Sequence, residues 1–267
     1  HVNFSAFDDD REDVVERTLS GDTWMINVGT QRDTSMSAVS LAEMYDSGVY
    51  ATVGIHPVHT DKSFHDVDEV GGDKGFTSRG EIFDSEFYKD LAKNKKVVAI
   101  GETGLDYFRL ENDSAERQQE VFIRHIELAN DLGKPLMLHI RPSSENTEGY
   151  SNALEILKKY SKGPGKVHFS AGSTDDAKGF LDIGYTVSFT GVITFTRDYD
   201  EVIKYVPLES ILSETDSPYV TPVPHRGKRN EPLYVQEVVK RIAEIKNRPL
   251  EETKMQMVEN AFRFFGF

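Results

Sequence analysis

Val97-Val-Ala-Ile-Gly-Glu102-Thr-Gly-Leu-Asp106 sets four apolar residues in an unbroken row, and a glycine then delivers Glu102. A short continuous apolar run reads as a strand buried on both faces, the kind found in parallel sheets. A carboxylate where such a strand ends is costly to bury alone, so Glu102 predicts a cation beside it. The pattern recurs three times. Pro135-Leu-Met-Leu runs into His139, Lys166-Val167 runs into His168, and Ser210-Ile-Leu-Ser-Glu-Thr runs into Asp216. Glu, His, His and Asp at the ends of four separate apolar runs form a metal-ligand inventory. Strands lying side by side in a parallel sheet would bring all four to one face.

Outward from these runs the chain alternates strand with helix. His1-Val-Asn-Phe reads as a strand remnant, and the acidic residues Asp8, Asp9 and Asp10 as the solvated first turn of a helix. Trp24-Met-Ile-Asn-Val-Gly is a second strand, and Asp33 or Thr34 caps the helix carrying Ala38, Leu41, Ala42 and Tyr45. Val49-Tyr-Ala-Thr-Val-Gly-Ile is a third strand, ending at His56-Pro57. Residues 60–80 are polar and glycine-rich and predict a long surface loop. Helices follow through Phe83, Phe87 and Leu91, and over 114–132, where His125 reads as a surface or core-edge histidine and not a ligand. A second extended loop is expected over 142–150. Further helices carry Ala153, Ile156 and Leu157, residues 175–183 and residues 199–205, around a strand at 185–191, and two helices over 233–247 and 250–265 close the chain.

Eight strands in alternation with helices predict an α/β chain, a TIM-type (β/α)8 barrel with an extra C-terminal helix, residues 1–267 forming a single domain. An open doubly wound sheet would need a glycine-rich phosphate loop, and no G-x-G-x-x-G occurs. The length of 267 residues suits such a barrel, and 38% hydrophobic with 10% aromatic residues supplies its core. With no cysteine, thiolate ligands and disulfides are excluded, so a metal must be held by His, Asp and Glu. No apolar run has the length to span a bilayer and no signal-peptide pattern is present, so a cytoplasmic protein without membrane partners is expected. The net charge of −14 argues against general capture of nucleic acid, but not against holding one phosphate through metals and a small basic loop.

The runs Gly54-Ile-His-Pro, Gly101-Glu-Thr-Gly-Leu-Asp, Leu138-His-Ile-Arg, Val167-His-Phe, Glu214-Thr-Asp-Ser-Pro-Tyr and Pro222-Val-Pro-His-Arg-Gly-Lys-Arg-Asn-Glu-Pro resemble the TatD family of metal-dependent deoxyribonucleases over essentially the whole chain. The resemblance implies a TIM-type barrel hydrolysing phosphodiester bonds of DNA, as a 3′–5′ exonuclease on single strands, with two divalent ions (Mg, Mn or Zn) per chain. It implies that Glu102 bridges the ions, a role suited to two carboxylate oxygens serving metals roughly 3.5–4 Å apart. His139 and His168 match ligands of the second ion, and Asp216 matches the carboxylate of the first, beside the attacking water. Glu102 and Asp216 are thus the catalytic candidates. The family opens with a His-x-His pair, and here only His1 is present. His1 is the second of that pair with the first supplied upstream in a longer chain, or the first with Asn3 in place of the second; both make it a ligand.

His56 resembles the family's pocket histidine, poised for a substrate phosphate or a water; a turn-capping histidine is the alternative. Arg141 is placed to clamp a phosphate. His225 and Arg226, in the basic loop His225-Arg-Gly-Lys-Arg229, are the other substrate-binding candidates. Glu214 shares a strand face with Asp216 and is expected to orient a ligand or water. Asp106 and Asn230 read as supporting or loop-fixing groups. Departures from the family pattern are Arg141-Pro-Ser-Ser with an insertion, His168-Phe-Ser-Ala-Gly, and the loop after His59. Two other functions compete. One is a related amidohydrolase of an ester, amide or lactone, where a carboxylated lysine commonly stands in place of Glu102. The other is a non-catalytic barrel with a decayed metal site.

Overall fold

The computed structural model describes residues 1–62, 64–65, 76–77, 80–108, 110, 114–143, 147–168 and 172–267. They form two compact units, Ile26–Lys166 and His1–Met25 with Val167–Phe267.

In the unit Ile26–Lys166, parallel strands alternate with helices in the order β1 (Met25–Val28), α1 (Arg32–Glu43), β2 (Val49–Val53), α2 (Ser85–Ala92), β5 (Val97–Asp106), α3 (Ser114–Leu132), β6 (Leu136–Arg141) and α4 (Gly149–Tyr160). Strands β1, β2, β5 and β6 are neighbours in that order, with β2–β5 and β5–β6 both parallel. All ten residues of β5 are buried, as an apolar run covered on both faces requires. Ile100 and Leu105 are fully enclosed, each contributing roughly 1.5–3 kcal/mol of apolar transfer. Helix α1 starts ahead of the predicted cap. Gln31 is the cap residue, while Thr34, one turn in, accepts the N–H groups of Thr30 and Gln31 at 2.8 and 3.0 Å. Asp84 caps α2 by accepting the Phe87 N–H. Within the predicted 60–80 loop, β3 (Phe64–His65) pairs antiparallel with β4 (Phe76–Thr77). Residues 63, 66–75 and 78–79, like 144–146 of the second predicted loop, lie outside the described residues.

In the other unit α5 (Arg11–Ser20) comes first in the chain, and the remainder runs through the end of β7 (Gly165–His168), α6 (Thr174–Asp182), β8 (Thr186–Phe189), α7 (Asp200–Tyr205), β9 (Ile211–Ser213), α8 (Val235–Lys246) and α9 (Leu250–Phe265). Strands β8 and β9 pair in parallel. The two closing helices are both present where the sequence puts them. Among the described residues no helix is long and apolar enough to cross a membrane.

The expected strand at residues 1–4 is not formed. The Phe4 N–H turns back onto the His1 carbonyl at 3.0 Å, and the Arg11 guanidinium takes the carbonyls of Val2 and Phe4 at 2.8 and 3.0 Å. Those acceptors are therefore spent on a side chain and not on a sheet ladder. The sheet accordingly has seven strands among the described residues, not eight. The acidic first turn also differs from a solvated one. Asp10 receives two hydrogen bonds from Arg229 at 2.8 and 2.6 Å, and Arg17 pairs with Glu231 at 2.7 and 2.8 Å. Strand β9 ends at Ser213, so Asp216 stands on the loop beyond it.

Candidate active site

In the unit Ile26–Lys166 the site grows from the Gly-Glu-Thr-Gly segment of β5. Gly101 and Gly104 have φ of +144° and +140°, values that L side chains rarely adopt. A Cβ at Gly101 would stand 2.3 Å from the Met137 carbonyl oxygen, and one at Gly104 would stand 2.1 Å from that of His139. The two glycines therefore let β5 lie directly against the β6 backbone, with Gly104 in register with His139 and a bulge between Ile100 and Thr103. That approach brings Glu102 Oε1 to 3.2 Å from His139 Nδ1. His56 Nε2 is 3.8 Å from the same oxygen.

Asp106 lies four residues beyond Glu102 on β5. Its Oδ2 is 2.9 Å from His139 Nε2, its Oδ1 accepts the Phe108 N–H, and its backbone is clasped on both sides by the Gln118 amide. Burial opposes charge on His139, but hydrogen bonds to Asp106 and Glu102 outweigh it and push the imidazole up to about 10. Burial also works against the Asp106 carboxylate, and His139 overrides it, so its pKa falls below the usual value. His56 goes the other way. Burial, with His139 nearby, drives its pKa well below the ordinary value, so the ring is neutral.

The turn-capping reading of His56 is met at one of its nitrogens. Nδ1 accepts the Val58 N–H at 3.3 Å and so caps the turn. In a neutral ring with Nδ1 accepting, the proton sits on Nε2, which faces Glu102 as a donor. Arg141, two residues past His139, lays its guanidinium 3.7 Å over the ring of Phe108, an exposed aromatic.

In the unit His1–Met25 with Val167–Phe267, the other predicted ligands gather around Asp216. Asp216 Oδ1 is 3.2 Å from His1 Nε2 and 3.7 Å from His168 Nε2. His168 Nδ1 lies 2.6 Å from Glu214 Oε2, and Glu214 Oε1 accepts from the Ser188 hydroxyl at 2.8 Å. Glu214 thus fixes the ring that presents Nε2 to Asp216. Asp216 has φ of +55°, a region that Asp tolerates better than most residues. Buried Asn230 brackets it by donating to the carbonyls of Thr215 and Tyr219 at 2.9 and 2.6 Å. In the basic loop, His225 stacks on Tyr234 at 3.8 Å. Arg226 covers Phe195 at 4.0 Å while donating to the Thr221 carbonyl. Arg229 is committed to Asp10 and to the Ala6 carbonyl, which removes it from the patch the sequence suggested.

Among the described residues, His56, Glu102 and His139 form a group whose ligand atoms all lie within 4.8 Å of one another. An all-N/O set with a buried carboxylate fits a divalent ion. His139 suits it best, because Asp106 on the far nitrogen leaves Nδ1 for the metal side. Sequence reasoning missed His56 as a member of this group. It also left Asp106 without a partner, although spacing of four along a strand puts it on the Glu102 face. The buried role of His125 was missed as well.

A family model for TatD related DNases matches residues 1–266. An uncharacterized metal-dependent hydrolase of Bacillus subtilis (strain 168) is 35% identical over 270 residues, covering 99% of this chain and 96% of its own. One from Mycobacterium tuberculosis is 33% identical over 262 residues, with 95% and 90% covered. Among solved structures, a TatD homologue of Escherichia coli aligns with TM-score 0.82 and 26% identity over 100% of this chain and 96% of its own. A TatD-family hydrolase of Entamoeba histolytica aligns with TM-score 0.75 and 22% identity over 94% and 88%, a likeness of fold. The fold is thus the α/β barrel-like one that the alternation of strand and helix predicts, and the chain belongs to the TatD family of metal-dependent hydrolases.

Proposed function

We propose that the chain is a divalent-metal-dependent deoxyribonuclease that shortens single-stranded DNA from its 3′ end, with two ions per chain. The observation that carries this reading is the buried Glu102 carboxylate held 3.2 Å from His139, whose opposite nitrogen is secured by Asp106. In this reading Glu102 and His139 would contribute to holding metal in the unit Ile26–Lys166, and His168, which the family resemblance pairs with His139, stands instead beside Asp216 and His1 as a second set of ligands in the other unit. The ions would polarise a phosphodiester and ease deprotonation of the attacking water.

The chain's own residues do the rest. Asp106 and Glu214 hold the far nitrogens of His139 and His168, so that the near nitrogens would be the ones to give up a proton when a metal binds. Asp216 orients the water and takes its proton. His56 donates from Nε2 to a non-bridging phosphate oxygen, its other nitrogen being occupied by the Val58 N–H. Arg141 in one unit, and Arg226 with His225 in the other, supply positive charge that can offset that of phosphate groups.

The test is a 5′-labelled single-stranded oligonucleotide incubated with metal-stripped protein and Mg2+, Mn2+ or Zn2+ in turn, with duplex and RNA strands alongside. A ladder shortening from the 3′ end and two ions per chain by elemental analysis are expected. No cleavage with any ion, in protein that binds them, would refute the reading.

A further inference from the structure

Beyond the end of β2 the chain leaves its strand ladder, and each N–H of residues 54–56 is met by a different group. The Gly54 N–H reaches the Ser35 hydroxyl at 3.3 Å, the Ile55 N–H reaches His125 Nε2 at 2.9 Å, and the His56 N–H reaches the Thr30 carbonyl at 2.8 Å. His125 lies on α3 and is completely enclosed, with the rings of Phe83 and Tyr88 packed around it at 4.5 and 6.1 Å. Its Nδ1 lies 2.7 Å from the Val121 carbonyl one turn earlier. A carbonyl can only accept, so Nδ1 carries the proton and Nε2 offers its lone pair to Ile55. Both ring nitrogens are thereby used, and the tautomer is fixed by the helix that carries it.

The ring also touches the place where the two site-bearing strands meet. A Cβ at Gly54 would lie 2.9 Å from the Gly101 Cα and 3.1 Å from His125 Nε2. Gly54 leads through Ile55 to His56, and Gly101 directly precedes Glu102. One side chain therefore braces the backbone that leads to His56, at the point where that backbone lies against the one that leads to Glu102.

We propose that His125 is a positioning residue for the His56–Glu102 pair, acting through the hydrogen bond that its Nε2 accepts from the Ile55 N–H. An apolar group of similar bulk keeps the packing but leaves the Ile55 N–H buried without an acceptor. Gln keeps both functions, since its oxygen can accept from Ile55 while its amide donates to Val121. The proposal takes the catalytic importance of His56 and Glu102 from the function proposed above, so its test includes readouts that need no activity.

In metal-free unaltered protein, long-range 1H–15N spectra should show His125 protonated on Nδ1, and amide exchange should show Ile55 protected. His125→Leu should speed Ile55 exchange at least about tenfold and shift the His56 ring resonances, while His125→Gln should leave both near their original values. With Mn2+ and bis(p-nitrophenyl) phosphate, kcat should fall at least about tenfold in His125→Leu, with KM less affected, and stay within about threefold in His125→Gln. If His125→Leu does not fold, His125→Asn replaces it, being too short to reach Ile55, and the same losses are expected. An Nε2–H tautomer in the unaltered chain would overturn the proposal. So would a folded apolar variant with unchanged His56 resonances and kcat, or a Gln variant as impaired as the Leu variant. If the unaltered chain hydrolyses nothing, the proposed function fails, while the tautomer, the exchange rate and the His56 resonances still decide the role of His125.

Discussion

Asp106 Oδ2 lies 2.9 Å from His139 Nε2, on the side of the imidazole away from Glu102. Asp106 is itself immobilised, through its carboxylate by the Phe108 N–H and through its backbone by Gln118. A histidine held in this way keeps one ring orientation, which is what a metal ligand needs.

Asp106→Ala should therefore weaken divalent binding by about 10–100-fold while leaving the chain folded, the usual effect of deleting such a support. Competition for Mn2+ with a chelating dye reads the affinity, and circular dichroism reads the fold. Unchanged affinity would mean that Asp106 serves only the backbone of β5.

Glu102→Gln keeps the shape of the side chain and removes its charge. Cleavage of a labelled single-stranded oligonucleotide should fall by roughly 10²–10³-fold or more, the scale seen when a key electrostatic contact is deleted from a site. Elemental analysis should show fewer ions per chain in the same preparation. Retained cleavage would count directly against Glu102 as a group that holds metal.

The parts of the site that were legible in the sequence are those where an apolar run meets a polar residue. Glu102, His139 and His168 fall at such junctions, and a glycine directly precedes Glu102. What was not legible depends on partners distant in the chain. Arg11 diverts residues 1–4 from the strand that their pattern suggested, and no local signal announces a guanidinium collecting two carbonyls. Asp10 looks like an exposed first-turn charge until Arg229, which is 219 residues away, is placed beside it. His125 is the instructive case. With Phe122, Ile126 and Ala129 it falls on the inner face of its helix by spacing alone, and only its polarity argued for the edge. Its two hydrogen bonds remove that objection.

The Asp10–Arg229 and Arg17–Glu231 pairs form one network that ties the start of α5 to the loop before α8. Hydrogen bonds from Arg229 hold Asp10 below the usual carboxylate range, and those from Arg17 do the same for Glu231. Because the folded pKa values lie below the unfolded ones, this stabilisation is present above about pH 4.5 and fades as pH falls through the folded values. Arg229→Met should cost about 1 kcal/mol at neutral pH, a partly exposed network being worth little more. Urea unfolding at pH 7 and pH 3 checks this, and the difference between variant and parent should shrink at the lower pH.

His125 makes the opposite demand on pH. Burial, offset only by the Val121 carbonyl, pulls its pKa from the ordinary 6.5 down to about 4. Between those values the unfolded chain binds a proton that the folded chain refuses, so stability rises with pH across that window. It is complete above about pH 6.5 and is lost as pH falls toward 4. At 1.36 kcal/mol per unit of pKa difference, this one side chain makes the fold about 3 kcal/mol less stable at pH 4 than at pH 7. Protonation would also cancel the lone pair that receives the Ile55 N–H, so the fold and the aim of His56 loosen together. Gln does not titrate. Unfolding free energies of the parent and His125→Gln, measured by urea from pH 7 to pH 4.5, should therefore diverge, with the parent losing more. Parallel curves would show that the ring escapes its burial before it charges, and that the hydrogen bond to Ile55 does not hold it in place.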